Sequence, residues 1–209
     1  MENGKEIINL YGKYILNTYK RTPVVFVRGK GAYIWDSEGN VYLDFFPGWV
    51  VSGIGHCHKR VIRALKEQLK SIIHVSNNYY SQNQVLLAEK ISRRSFGKVF
   101  FSNSGAEANE AAIKLARAFG HDTSRYKIIC MEKSFHGRTL ATIAATGQEK
   151  VQKGFEPLPE GFIHVPFNDI DSLRQAVDDK TVAVMLELIQ GEGGINIANA
   201  DYIRDVRAL

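Results

Sequence analysis

The chain has 209 residues, 44% of them hydrophobic and 23% charged, an ordinary globular composition long enough to bury a core. Its 27 basic and 22 acidic residues leave a charge of +5; the basic residues are dispersed, which argues against a nucleic-acid surface. No segment is apolar for long enough to span a membrane or act as a signal peptide, and the two cysteines, Cys57 and Cys130, have no metal-like spacing and fit a reduced, cytoplasmic protein.

Residues 3–19 read as a helix with Ile7, Ile8, Leu10, Tyr11, Tyr14 and Ile15 as its apolar set, broken by Arg21-Thr22-Pro23. Val24–Arg28, Ala32–Asp36 and Val41–Phe45 read as three short strands, separated by turn-rich Gly29-Lys30-Gly31 and Ser37-Glu38-Gly39-Asn40, and so as a small antiparallel meander. A glycine-bearing loop, 46–58, ends in Gly55-His56-Cys57-His58. Two histidines one residue apart make half a metal site, but no other His, Cys or acidic cluster completes it, so a loop-to-helix corner and no metal are expected. Lys59–Ile73 is strongly amphipathic, with Val61, Ile62, Leu65, Leu69 and Ile72 inward; 77–84 is polar and aromatic, and Gln84–Arg94 is a second helix.

The next stretch organises the rest. Lys98–Ser102 reads as an apolar strand, Asn103-Ser104-Gly105 as a turn, and the following residues to Phe119 as a helix with Ala108, Ala112, Leu115, Ala116 and Phe119 on one face. Glu110 and Lys114 are spaced to pair on its outer side. A strand feeding such a turn and a helix presents free N–H groups and a positive dipole end, which suits a phosphate. Gly105 lets the phosphate approach and Ser104 adds a hydroxyl; the same residues also serve a helix that merely caps itself.

Beyond it the pattern is regular: strand Lys127–Met131, helix 138–146, strand Phe162–Val165, helix Asp169–Val177, a long apolar strand Thr181–Leu188 expected to be fully buried by its composition, and a helix from Asn199 to Leu209. Alternating strands and helices predict an α/β fold with a mostly parallel sheet and helices on both faces. Three loops then share the C-terminal edge of the sheet, where such folds bind ligands: 103–106, 134–138 and 190–194. Phe135 can stack on a flat heteroaromatic ring or anchor its loop in the core. Arg138 can fork onto a carboxylate or pair with a nearby acid. Glu187 and Glu192 flank a glycine-rich turn, where a carboxylate can meet a cationic group or cap a helix.

Taken together, these segments resemble the class III pyridoxal-phosphate aminotransferases of fold type I. The resemblance rests on Pro23-Val24-Val25-Phe26-Val27-Arg28-Gly29, Tyr42-Leu43-Asp44-Phe45, Gly55-His56-Cys57-His58, Asn103-Ser104-Gly105-Ala106-Glu107-Ala108-Asn109, Ser134-Phe135-His136-Gly137-Arg138-Thr139 and Gln190-Gly191-Glu192-Gly193-Gly194. It implies pyridoxal 5'-phosphate as cofactor, with Ser104, Gly105 and Ala106 at its phosphate, Phe135 on its ring and His136 beside it. It implies Arg138 at the α-carboxylate of the substrate and Glu192 as a carboxylate that adapts the site to different side chains. The implied substrates are an amino donor, N-acetylornithine foremost with 4-aminobutyrate, ornithine, succinylornithine or a lysine-biosynthetic donor as alternatives, and 2-oxoglutarate; the implied assembly is a homodimer with the site at the subunit boundary, and the rival from another class is a non-catalytic truncated binding or assembly protein. Residues 1–50 would belong to the small domain and 51–209 to the first part of the large cofactor-binding domain. Lys59 and Leu188 stand where the family has prolines. No lysine here lies in the family's Schiff-base context, so that lysine, and the aspartate for the pyridine nitrogen, are expected beyond Leu209. A truncated chain is thus expected, inactive and poorly folded by itself, with the apolar strand 181–188 left without a neighbour.

Overall fold

The computed structural model describes residues 4–46, 48–95 and 97–209. Two compact units emerge, residues up to Leu86 and residues from Leu87 onward.

In the first unit, helix α1 (Gly4–Tyr14) precedes strands β1 (Phe26–Lys30), β2 (Tyr33–Asp36) and β3 (Val41–Leu43). The strands form an antiparallel sheet in the order β1-β2-β3, with Tyr33 opposite Leu43 and Trp35 opposite Val41. One carboxylate fixes the β2–β3 turn. Asp36 Oδ1 accepts from the amides of Glu38 (2.9 Å) and Asn40 (2.8 Å), and Oδ2 accepts from Asn40 Nδ2 (2.9 Å) and the Tyr42 hydroxyl (2.8 Å). These donors, Asn40 foremost, hold the Asp36 carboxyl below its ordinary range.

His56 is a corner residue, as expected. Its Nε2 lies 2.6 Å from Asp44 Oδ2, and its backbone pairs with Gly31 in both directions. Among the described residues no three His, Cys, Asp or Glu side chains gather as metal ligands would. Helix α2 (Lys59–Leu69) follows, with His58 as its N-cap residue.

The helices are where expected, but their apolar faces are not inward. Val61, Ile62, Leu65, Leu69 and Ile72 are all exposed, and so are Ile8, Leu10, Tyr11, Tyr14 and Ile15 around α1. Amphipathic spacing marks a face that can be buried; it does not supply the surface to bury it against. Helix α1 also stops at Tyr14 rather than continuing to residue 19; residues 1–3 lie outside the described residues.

Helix α3 (Gln82–Ser92) straddles the boundary. The second unit holds α4 (Gly105–Gly120), β4 (Lys127–Met131), α5 (Leu140–Ala145), α6 (Glu149–Gln152), β5 (Phe162–Val165), α7 (Ile170–Ala176), β6 (Thr181–Met185), the short pair β7 (Ile189–Gln190) and β8 (Asn196–Ile197), and α8 (Ala200–Ala208). Strands β5, β4 and β6 form a parallel sheet in that order. Central β4 is buried on both faces, as a parallel strand between helices must be. Its Ile129 and Met131 pack with Val165, Leu173 and Tyr202 on the side of α7 and α8. Its Ile128 and Cys130 pack with Ile113 and Ala145 on the side of α4 and α5. Burial pushes the Cys130 thiol up to about 12, which makes it an inert core residue.

Three expectations are corrected here. Residues 98–102 run without strand pairing among the described residues, leaving Phe100 exposed; an apolar run becomes a strand only with a ladder partner. The strand 181–188 ends at Met185 and is half-buried along its length, because among the described residues β6 pairs on one side only. A groove of about 720 Å³ lies beside it, lined by Val182, Val184, Leu186, Leu188, Ile203 and Val206. In α4 the buried positions are Ile113 and Gly120, whereas Leu115 and Phe119 are exposed. Gly120 lies on the packed side, where a Cβ would collide with the Arg125 carbonyl oxygen and stand 2.8 Å from Val182 Cγ2 of β6.

Candidate functional site

The site begins at the N-terminus of α4. Ser104 is its N-cap in extended conformation, and its Oγ accepts from the Glu107 amide at 3.2 Å. Glu107 returns the favour, accepting from the Asn103 amide at 2.6 Å and from Asn103 Nδ2 at 2.9 Å. The turn is thereby fixed by its own side chains. Gly105 opens the helix, and apart from its chain neighbours and its own helix backbone nothing lies within 4 Å of where its Cβ would stand. The space beside Gly105 is therefore open at the end of α4 where the helix dipole is positive.

The segment after β4 lies against this turn. A Cβ on Gly137 would meet Ala106 Cβ at 3.0 Å and Thr142 Oγ1 at 2.7 Å, and Gly137 has φ of +135°, so glycine is required on two counts. Asn109 Nδ2 donates to the His136 carbonyl at 2.7 Å. The His136 amide donates to Thr146 Oγ1 at 2.9 Å, and the Phe135 amide donates to Glu187 Oε2 at 3.0 Å. Thr139 caps α5 and its hydroxyl donates to Glu110. Glu110 thus braces this segment instead of facing Lys114 outward as its spacing suggested.

The electrostatics are uneven. His136 is 5% exposed, its Nε2 has no hydrogen-bond partner, and burial together with the nearby His164 lowers it to about 4. It is a neutral imidazole at physiological pH with one unsatisfied ring nitrogen. Glu187 shifts the other way, raised first by burial and further by the charge of Glu192. Phe135 is half-buried, and Arg138 and Glu192 are exposed.

The third loop closes on the same edge. A Cβ on Gly193 would collide with the carbonyl of Lys133, just after β4. Buried Gln190 donates to the Glu132 carbonyl at 2.8 Å and accepts from Asn196 at 3.0 Å. The three loops expected from sequence thus converge at the C-terminal end of the sheet. Sequence reasoning missed Asn109, Thr142 and Thr146 as braces of the middle loop. Asn109 carried a signal, being an amide on a helix face between Ala106 and Ile113; the threonines carried none.

The sequence pattern of the family described as "Aminotransferase class-III" matches residues 14–209. The acetylornithine aminotransferase of Caldanaerobacter subterraneus subsp. tengcongensis is 54% identical over 201 residues, covering 94% of this chain and 51% of that protein. The acetylornithine aminotransferase of Methanothermobacter thermautotrophicus is 52% identical over 99% of this chain and 53% of its own length. The chain spans about half the length of these relatives. Among solved structures, an ornithine aminotransferase from Toxoplasma gondii superposes with a TM-score of 0.92 at 29% identity, over 100% of this chain and 51% of that one. A second structure of that enzyme is described with PLP at its active site. The acetylornithine aminotransferase of Elizabethkingia anophelis gives a TM-score of 0.81 at 29% identity, over 100% of this chain and 50% of that one. With its phosphate-type turn, braced aromatic loop and glycine loop on one sheet edge, the chain belongs to the class-III aminotransferases, a family that works with pyridoxal phosphate.

Proposed function

We propose that these residues form the phosphate, ring and carboxylate subsites of a transaminase that moves an amino group from N-acetylornithine to 2-oxoglutarate. The observation that carries this reading is the open α4 N-terminus at Gly105, set against the Phe135–Arg138 segment. Ser104, Gly105 and Ala106 would hold the cofactor phosphate through N–H groups, a hydroxyl and the helix dipole. Phe135 would stack on the ring. His136, neutral and with an orphaned Nε2, fits a polar group at the ring edge and brings no charge of its own there. Arg138 would take a substrate carboxylate as a bidentate fork, and Glu192 would adapt the site to each substrate's side chain. When bound, pyridoxal phosphate supplies the electron sink for the reacting amino acid.

The lysine that handles amine exchange in this chemistry has no counterpart in context here. We assign it to the half of the relatives' length that this chain does not span, and take the 209 residues alone to be inactive. The helix and meander of residues 1–50 are read as part of the small domain and residues 51–209 as the opening of the large one. The exposed apolar faces of the first unit suit a homodimer contact. The two free thiols suit a cytoplasmic protein.

A donor panel with 2-oxoglutarate on the longer protein tests the specificity. N-acetylornithine should form glutamate fastest; the ornithine aminotransferase neighbours make ornithine the second reading, with 4-aminobutyrate and succinylornithine behind. Glutamate formation by a 209-residue product of verified mass would overturn the assignment of the lysine.

A further inference from the structure

We propose that Glu187 is a positioning residue for Phe135, holding the backbone of the ring-stacking loop from the end of the neighbouring strand; this rests on the cofactor reading above. Strands β4 and β6 are parallel neighbours, yet their register ends at Cys130 and Met185, beyond which their backbones no longer pair. The loop after β4 therefore lacks a ladder where Phe135 needs a fixed orientation. Side chains replace it. The His136 amide goes to Thr146 and its carbonyl to Asn109, both from the α4 and α5 side. The Phe135 amide is held from the β6 side, by the Glu187 carboxylate at 3.0 Å across 52 positions of sequence.

Its placement is otherwise costly. Glu187 is half-buried two residues past an apolar strand and feels the like charge of Glu192. A carboxylate kept there against burial and repulsion needs a compensating bond, and an N–H donor to a charged acceptor is a strong one. The bond also reaches the amide of the residue whose ring must lie flat on the cofactor, so an error there becomes an error in stacking. Glu187 touches neither substrate nor ring in this role; it acts through Phe135.

The test compares wild type, E187Q, E187A and E187L by two readouts on the 209-residue chain and on the longer protein. The first is amide hydrogen exchange at Phe135, with Ile129 and Cys130 as controls that the β4 core is intact. The second is the dissociation constant for pyridoxal phosphate, read from the cofactor's own absorbance and induced circular dichroism. E187Q keeps an acceptor oxygen and should match wild type within about threefold in both. E187A and E187L should speed Phe135 exchange and weaken cofactor binding by about tenfold, the worth of one such bond, with core exchange unchanged. Unaltered Phe135 exchange in E187A and E187L overturns the proposal, as does faster exchange with unaltered cofactor affinity. If wild type takes up no pyridoxal phosphate, the cofactor reading fails instead, and Phe135 exchange still decides whether Glu187 holds the loop.

Discussion

The two sheets of this chain are built on opposite plans. The β5-β4-β6 sheet is parallel, and its central strand is buried on both faces between helices. The β1-β2-β3 meander is antiparallel and held by local polar bonds around Asp36 and Asp44; among the described residues up to Leu86 only Gly4 and Asp36 are buried. The difference teaches where each region's order comes from. One draws on apolar burial between layers, the other on polar bonds centred on Asp36 at its turn and on Asp44 with His56. The candidate site sits on the first kind of region, which can hold side chains to the tolerance that ligand recognition needs.

The sharpest way to break this contrast is to truncate one leucine on each side. Leu173 is fully buried, so Leu173→Ala should cost about 2–5 kcal/mol in denaturant unfolding. Leu69 is 59% exposed, so Leu69→Ala should fall within about 0.5 kcal/mol of wild type. Similar costs at the two positions would mean that the α2 face is buried in solution and that the contrast is false.

Acid separates the regions next. His136 titrates near 4 when folded against an ordinary 6.5. The unfolded chain therefore binds the proton first, and stability of the second unit falls as pH drops from 6.5 to 4, by about 3 kcal/mol for one proton. His136→Asn should flatten that window in unfolding curves taken across it. Asp36 and Asp44 are both lowered from 3.8. Their contribution is complete above that value and is lost only as pH falls below it through the folded values, so the meander should outlast the His136 transition. Loss of the meander above pH 5, followed by Tyr42 or Trp35 signals, would contradict the local-bond account.

The smallest effect concerns the α4 cap. Ser104→Ala removes the Oγ acceptor of the Glu107 amide and should cost about 1 kcal/mol, while the Asn103–Glu107 bonds keep the turn in place. A loss above about 2 kcal/mol would place Ser104 in the core economy of the second unit rather than at its rim.

Much of this was legible in sequence for a physical reason. Strand and helix periodicity, the Asn103-Ser104-Gly105 turn and the glycine loops are local signals, and the structure places all three expected loops on one sheet edge. What escaped was whatever depends on a neighbour. Residues 98–102 have strand composition but no ladder among the described residues. Leu115 and Phe119 have helical spacing but lie on the open side of α4, while Ile113 and Gly120 take the side packed on the sheet. Glu187 looked like a partner for a cation and instead holds an amide 52 residues away. Long-range hydrogen bonds leave no periodic mark in a sequence.

The most direct test of the central claim, that the α4 N-terminus is a phosphate site, is pyridoxal phosphate binding by wild type and Gly105→Asp. Open space surrounds the Gly105 Cβ position and its φ is not among the positive ones. An acidic residue in the first helical turn also favours the helix dipole. The substitution should therefore leave unfolding free energy unchanged or slightly raised while placing a carboxylate where the phosphate would sit. The account predicts saturable binding by wild type, competed by inorganic phosphate, and a loss of at least about a hundredfold in Gly105→Asp, consistent with like-charge repulsion at contact distance. Equal affinity in the two proteins would contradict it and move the phosphate away from this turn.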